Sequence, residues 1–212
     1  MSETTATSGN NSLTAVAVVC TLKPSPDRSS SEVIAEQVLR ELSGHGVHGK
    51  TVRAVDFDIR PGITRDEGDG DQWPQLRDRI SAADILLVAT PTWLGHMSSV
   101  AQRVLERLDA EFSVTDDADR PAMVNKVGIA AVVGNEDGAH KIVADLFQSL
   151  NDIGFTVPAQ GCTYWNGEAM SGVDYLDKDE TPEAVATTTA TLARNAAHLA
   201  RTLHAYQYPA YS

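Results

Sequence analysis

Two cysteines in 212 residues, Cys20 and Cys162, are too few for a cysteine-based zinc or iron–sulfur centre and allow at most one disulfide. Buried, reduced thiols are the expectation. Positive charge is also scarce: 17 Lys and Arg stand against 29 Asp and Glu, a formal net charge of −12. Nucleic acid and anionic membrane are repelled by such a chain unless a local basic patch intervenes, and no run of Lys or Arg supplies one. Met1 to Asn11 has neither a basic start nor an apolar stretch, so it reads as neither a signal peptide nor a membrane span, and a cytoplasmic protein is expected. Metal-ligand spacings of the HxxxH or HExxH type are missing, and no metal site is expected. Asp66-Glu67-Gly68-Asp69-Gly70-Asp71 lacks the ligand spacing and closing Glu of a calcium loop and reads as solvated. A GxSxG elbow is missing too, which disfavours a serine hydrolase. Neither a GxxxxGK[ST] phosphate loop nor a GxGxxG is expected in the chain, which disfavours ATP and a Rossmann-style dinucleotide.

What is present suits one folded domain, since 42% of residues are hydrophobic and 22% charged. The polar start, 1–12, reads as a disordered tail, 13–206 as the domain, and 207–212 as a C-terminal tail. Ala15 to Cys20 is a continuous apolar run rich in β-branched residues, as expected of a strand covered on both faces. Val33, Ile34, Val38, Leu39 and Leu42 then recur at helical spacing until Gly44 and Gly46. Further strands are expected at Thr51–Val55, Asp84–Ala89 and Val127–Val133, with a weak fifth at Phe155–Val157. Helices are expected after Trp73-Pro74, after Ser99, after Gly138, and from about Pro182 to His204. Five alternations of strand and helix predict a three-layer, doubly wound α/β domain on a five-stranded parallel sheet, with ligands beyond the carboxyl ends of the strands.

Three loops at those ends carry the chemistry. Thr21 to Ser31 clusters hydroxyls with Lys23 and Arg28 ahead of a helix N-terminus, which suits a phosphate; a plain serine cap from Ser29, Ser30 or Ser31 is the alternative. Thr90 to Ser99 mixes flat apolar surface with Pro and Gly, which suits a flavin ring needing backbone donors and acceptors; a helix start capped by Ser98 is the alternative. Gly134-Asn135-Glu136-Asp137-Gly138-Ala139-His140 lets backbone approach a ligand closely, or serves as an ordinary turn with Asp137 as the cap. His96 and His140 lie in these loops as possible proton donors or hydrogen-bond partners, with packing roles as the alternative.

The loop Pro91-Thr92-Trp93-Leu94-Gly95-His96-Met97-Ser98 resembles the Pro-Thr-x-x-Gly-x-x-Ser pattern of the NADPH-dependent FMN reductase and flavodoxin-like family, including its multimeric quinone reductase branch. Gly134 to Gly138 resembles that family's next loop, and the likeness runs from about Ala15 to Leu203. The resemblance implies a flavodoxin-like strand order, 2-1-3-4-5, and bound FMN with NAD(P)H as co-substrate. It implies phosphate contacts from Thr21, Lys23, Ser29, Ser30 and Ser31. Ring contacts are implied from Pro91, Thr92, Trp93, Leu94 and Gly95, with Gly134, Asn135, Asp137 and Gly138 alongside. The first loop departs from the family's compact Gly-Ser-x-Arg-x-x-Ser form, being longer and proline-containing, and Tyr164 to Ala169 is a further candidate wall. The implied activity is hydride transfer from NAD(P)H to FMN and on to a quinone, free flavin or similar small acceptor, in a homodimer or homotetramer. A flavodoxin-type electron carrier and a noncatalytic binding module on the same fold are the alternatives.

Overall fold

The computed structural model describes residues 12–169 and 172–211; the tail expected over 1–12 lies almost wholly outside them. Strands β1 (Leu13–Val19), β2 (Val47–Arg53), β3 (Ile85–Trp93), β5 (Val127–Gly134) and β6 (Cys162–Asn166) form one parallel sheet in the order β2-β1-β3-β5-β6. A two-residue strand, β4 (His96–Met97), pairs antiparallel with the end of β3. Leaving that hairpin aside, the order is the expected 2-1-3-4-5.

The apolar runs are continuous because both faces of the sheet are covered. Val16 and Val18 of β1, Leu86 and Val88 of β3 and Ala130 and Val132 of β5 pack with α2 (Trp73–Ala82), α3 (Ser99–Leu108) and α4 (Ala139–Ile153). Their alternate neighbours, Ala15, Ala17, Ile85, Leu87, Ile129 and Ala131, pack with α1 (Ser30–Gly44) and α5 (Glu183–Ala205) on the other side. Among the described residues no helix is long and apolar enough to cross a membrane.

Four expectations are corrected. Phe155–Val157 is not the fifth strand: Thr156 makes one bridge to Val127, Pro158 then removes the next donor, and the ladder resumes at Cys162. Thr90–Ser99 is not a plain loop, because β3 continues through Pro91 to Trp93 and turns back into β4 over Leu94 and Gly95 at φ 51° and 74°. Two consecutive positive φ values match the tight hairpin turn whose twist suits the flanking strands. Asp71, at the end of the supposedly solvated acidic run, turns its side chain fully inward: its carboxylate meets Arg107 Nη2 at 2.7 Å and accepts N–H bonds from Glu67, Trp73 and Arg60. Gly44 to Thr51 does spell both GxGxxG and GxxxxGK[ST]. It runs from the end of α1 into β2, with Gly49 against Leu39, so it has the helix-to-strand order opposite to that of a phosphate loop.

Residues 207–211, expected as a tail, lie along the connection before β5. Tyr208 N–H donates to Asn125 Oδ1 at 2.8 Å, and Arg120 Nη1 donates to the Tyr208 carbonyl at 2.7 Å.

Candidate functional site

Beyond the carboxyl ends of β1, β3 and β5 lies a cavity of about 580 Å³, within the range of small-molecule and cofactor sites. Its walls include Thr21, Lys23, Ser29, Ser30 and Ser31 from the first loop, Pro91, Thr92 and Trp93 from the second, and Gly134 and Asn135 from the third. The strand order reverses between β1 and β3, so the loops after these strands diverge to opposite faces and leave a crevice.

In the first loop the serines divide their roles. Ser29 caps α1, its Oγ accepting the Glu32 N–H at 3.4 Å, and Ser30 Oγ accepts the Leu176 N–H at 3.2 Å. The cap foreseen as the plain alternative is therefore present, and Thr21, Lys23 and the serines still line the cavity beside it.

In the second loop Ser98, the last residue of the motif, has a structural task. It caps α3 through the Ala101 N–H and donates Oγ–H to the Cys20 carbonyl at 2.6 Å, while Thr90 Oγ1 accepts its N–H. The motif thus ties the start of α3 to the end of β1. Leu94 and Gly95 do not line the cavity; they form the hairpin tip, where the Leu94 N–H donates to Glu136 Oε1 at 2.7 Å.

The third loop meets that tip. A Cβ on Gly138, which sits at φ 136°, would stand 2.7 Å from Gly95 Cα, so only glycine allows the two loops to touch. Gly138 rather than Asp137 caps α4; Asp137 Oδ1 accepts the Gly138 N–H. Asp137 and Gly138 therefore brace the wall from outside. His96 is exposed with Nδ1 on the Leu94 carbonyl at 2.7 Å, and His140 sets its ring edge-on to Tyr164, centroids 5.1 Å apart. Neither histidine lines the cavity; His140 packs on Tyr164, whereas His96 stays exposed on the hairpin.

The candidate wall at Tyr164 to Ala169 contributes Trp165, inside β6, and Ala169 to the lining, and Asp174, Tyr175 and Leu176, which had no sequence expectation, join them. Asp174 accepts from Asn135 Nδ2 at 2.7 Å, and Arg28 donates to the Leu176 carbonyl at 3.0 Å. Tyr175 packs on Trp165 at 5.4 Å between centroids, and Lys178 Nζ lies 5.3 Å over the same indole. Leu22, Val133 and Glu136 complete the lining.

Two residues of the lining carry a buried polar atom without a protein partner, Thr92 Oγ1 and Asn135 Oδ1; Trp73 Nε1 and Arg107 Nε, away from the cavity, are likewise unpartnered. Buried polar groups are nearly always paired, so the two on lining residues are candidates for a partner that the protein does not supply. Of the charged residues in the lining, Glu136 and Asp174 are engaged by backbone and amide donors, while Lys23 is exposed and brings the positive charge. One end suits an anion and the other a flat ring with a polar edge. Cys20 does not line the cavity, and complete burial pushes its thiol up to about 12. Burial raises Cys162 as well. Among the described residues no group of three or more His, Cys, Asp or Glu is placed to hold a metal ion.

A doubly wound parallel sheet with its cavity at this place is the flavodoxin-like class. An archaeal flavodoxin of 12% identity shares the fold at a TM-score of 0.57, over 89% of this chain and 99% of that one. The chain belongs to the NADPH-dependent FMN reductase family, which matches residues 15–169. It is 32% identical over 174 residues to the 8-demethyl-8-aminoriboflavin-5'-phosphate synthase of Streptomyces davaonensis, covering 78% of this chain and 68% of that enzyme. The crystal structure of RosB with bound 8-demethyl-8-formylriboflavin-5'-phosphate superposes at a TM-score of 0.84, with 30% identity, over 92% of this chain and 82% of that one. A Mycobacterium bovis protein described as the divalent metal cation transporter MntH is 38% identical over 169 residues. Those residues are 78% of this chain, which spans about 25% of that relative's length.

Proposed function

We propose that the cavity binds FMN and that the protein is an FMN-dependent NAD(P)H oxidoreductase, passing a hydride equivalent to a quinone, a free flavin or a similar small acceptor. A lining that joins the hydroxyls and Lys23 beside the N-terminus of α1 to the flat surfaces of Pro91, Trp93 and Trp165 supports this reading, with Thr92 and Asn135 offering unpartnered polar atoms. Thr21, Lys23, Ser29, Ser30 and Ser31 hold the phosphate; the helix N-terminus adds favourable partial positive charge there. Pro91, Thr92 and Trp93, with Gly134 and Asn135, hold the ring. Thr92 Oγ1 and Asn135 Oδ1 give the polar edge one hydroxyl and one amide carbonyl, and Trp165 with Tyr175 closes an aromatic side. Leu94, Gly95, Asp137 and Gly138 keep the two ring loops in register from behind. When bound, FMN supplies the two-electron chemistry between nicotinamide and acceptor; the protein binds, orients and excludes water. No side-chain acid is assigned to the transfer.

Exposed Leu22, Trp93 and Leu94 flank the mouth, the last 87% exposed on the hairpin tip. They support a homodimer or homotetramer in which a second copy walls the opening.

A second reading takes the flavin phosphate as substrate, favoured by the likeness to an enzyme structure holding a flavin phosphate altered at position 8. Initial-rate kinetics of NADPH and NADH oxidation with the FMN-loaded protein and a quinone, followed by chromatography of the flavin, separate the readings. Catalytic turnover with FMN recovered unchanged supports the reductase. FMN consumed in proportion to product supports flavin as substrate, and bound FMN with no nicotinamide oxidation removes the reductase reading.

A further inference from the structure

Arg53, at the end of β2, is 4% exposed and touches none of the cavity. Its guanidinium nevertheless places all five N–H donors on the phosphate loop and the helix behind it. Nη1 donates to the carbonyls of Lys23 at 3.1 Å and Pro24 at 2.8 Å, and Nη2 donates to that of Asp27 at 2.5 Å. Nε and Nη2 together take both carboxylate oxygens of Glu32, at 3.1 and 2.5 Å. Three residues on, Asp56 receives the N–H and Oγ–H of Ser25 at 2.8 and 2.7 Å. The long, proline-containing loop is thus held from the end of β2 by two side chains of opposite sign.

Glu32 lies in the first turn of α1, three residues after the cap Ser29 and next to Ser31 of the cavity wall. A free carboxylate there repels any anion brought to the helix N-terminus. Arg53 cancels that charge with a bidentate pair, the geometry in which Arg and carboxylate match best.

We propose that Arg53 is a positioning residue for the phosphate end of the site. It fixes the Lys23–Asp27 backbone and neutralises Glu32, so that the site selects a phosphorylated flavin over the unphosphorylated one. The proposal rests on the reading that FMN occupies the cavity with its phosphate on this loop.

Dissociation constants for FMN and for riboflavin, read from flavin fluorescence, test it with wild-type protein, R53M, R53K and E32Q. Wild type is expected to bind FMN more tightly than riboflavin. R53M raises the FMN constant by about 10- to 50-fold, the scale of losing a charge-assisted anchor, and leaves the riboflavin constant within about 2-fold. R53K falls between, because its ammonium keeps Glu32 neutralised without the fork. E32Q, which keeps the loop anchors to backbone, binds FMN about 2- to 3-fold more tightly with riboflavin unchanged; it decides the matter should R53M not fold. Equal changes for both ligands in R53M, an R53K no better than R53M, or weaker FMN binding in E32Q each overturn the proposal. A wild type that binds riboflavin as tightly as FMN instead removes the phosphate-loop reading on which it rests.

Discussion

Replacing Thr92 with Val separates the needs of the ligand from those of the fold. Thr92 Oγ1 is buried without a protein partner, and a buried hydroxyl in that state costs about 1–3 kcal/mol. Valine keeps the branched shape and removes the unpaired group. The ligand-free T92V protein should therefore be more stable by about 1 kcal/mol, or roughly 2–4 °C in Tm for a chain of this size. The flavin loses a hydrogen bond in the same variant. A neutral bond is worth about 0.5–1.5 kcal/mol, so the FMN dissociation constant should rise by about 3- to 10-fold. Differential scanning fluorimetry of the ligand-free protein and fluorescence titration with FMN measure the two numbers on one sample. A T92V protein that is less stable without ligand and binds FMN as wild type does would falsify the assignment of this hydroxyl to the ligand.

Three further outcomes follow from the geometry. Burial raises the Asp71 carboxyl, but Arg107 and three backbone N–H donors outweigh it and hold the group at about 2, below its usual 3.8. A carboxylate depressed in the folded state adds stability above its unfolded value, and that stability is lost as pH falls from about 4 through 2. Denaturant melts should show D71N destabilised by about 3–5 kcal/mol at neutral pH, because Arg107 is left buried without its counter-charge; a loss under 1 kcal/mol would contradict the buried pair. G138A forces a Cβ to within 2.7 Å of Gly95 Cα at a φ of 136°, so it should cost about 2 kcal/mol or more and weaken FMN binding with it; unaltered melting and binding would show that the loops do not interlock. Cys20 should resist alkylation at pH 8 in the folded protein, as burial places its thiol at about 12, and should react at the rate of a free thiol only after unfolding.

The buried strands were legible because β1, β3 and β5 are apolar on both faces, and no competing helical period runs through them. The edge strands were less so. β2 alternates exposed His48 and Lys50 with half-buried neighbours, and β6 opens with a cysteine and a threonine after a proline-interrupted turn. The three loops were legible as hydroxyl-rich and glycine-rich strand ends, and the fold does gather them around one cavity. Asp174 to Leu176 was not, since it meets the site through a backbone carbonyl, an N–H and one carboxylate, about 80 residues beyond the second loop, with no periodic signal. Burial of Asp71 was hidden for a similar reason: its partner Arg107 sits on an amphipathic helix where an arginine reads as solvated. The spelling of a phosphate-loop pattern at Gly44–Thr51 shows the converse, a motif whose flanking elements come in the wrong order.

The central claim is that this cavity takes FMN and that the bound flavin accepts electrons from a nicotinamide. The visible absorption spectrum of the purified protein, recorded with added FMN and then with NADPH under anaerobic conditions, tests it most directly. A perturbed flavin spectrum that retains its bands until NADPH bleaches them is the predicted result; FMN that stays spectrally free and separates from the protein on gel filtration would contradict the account.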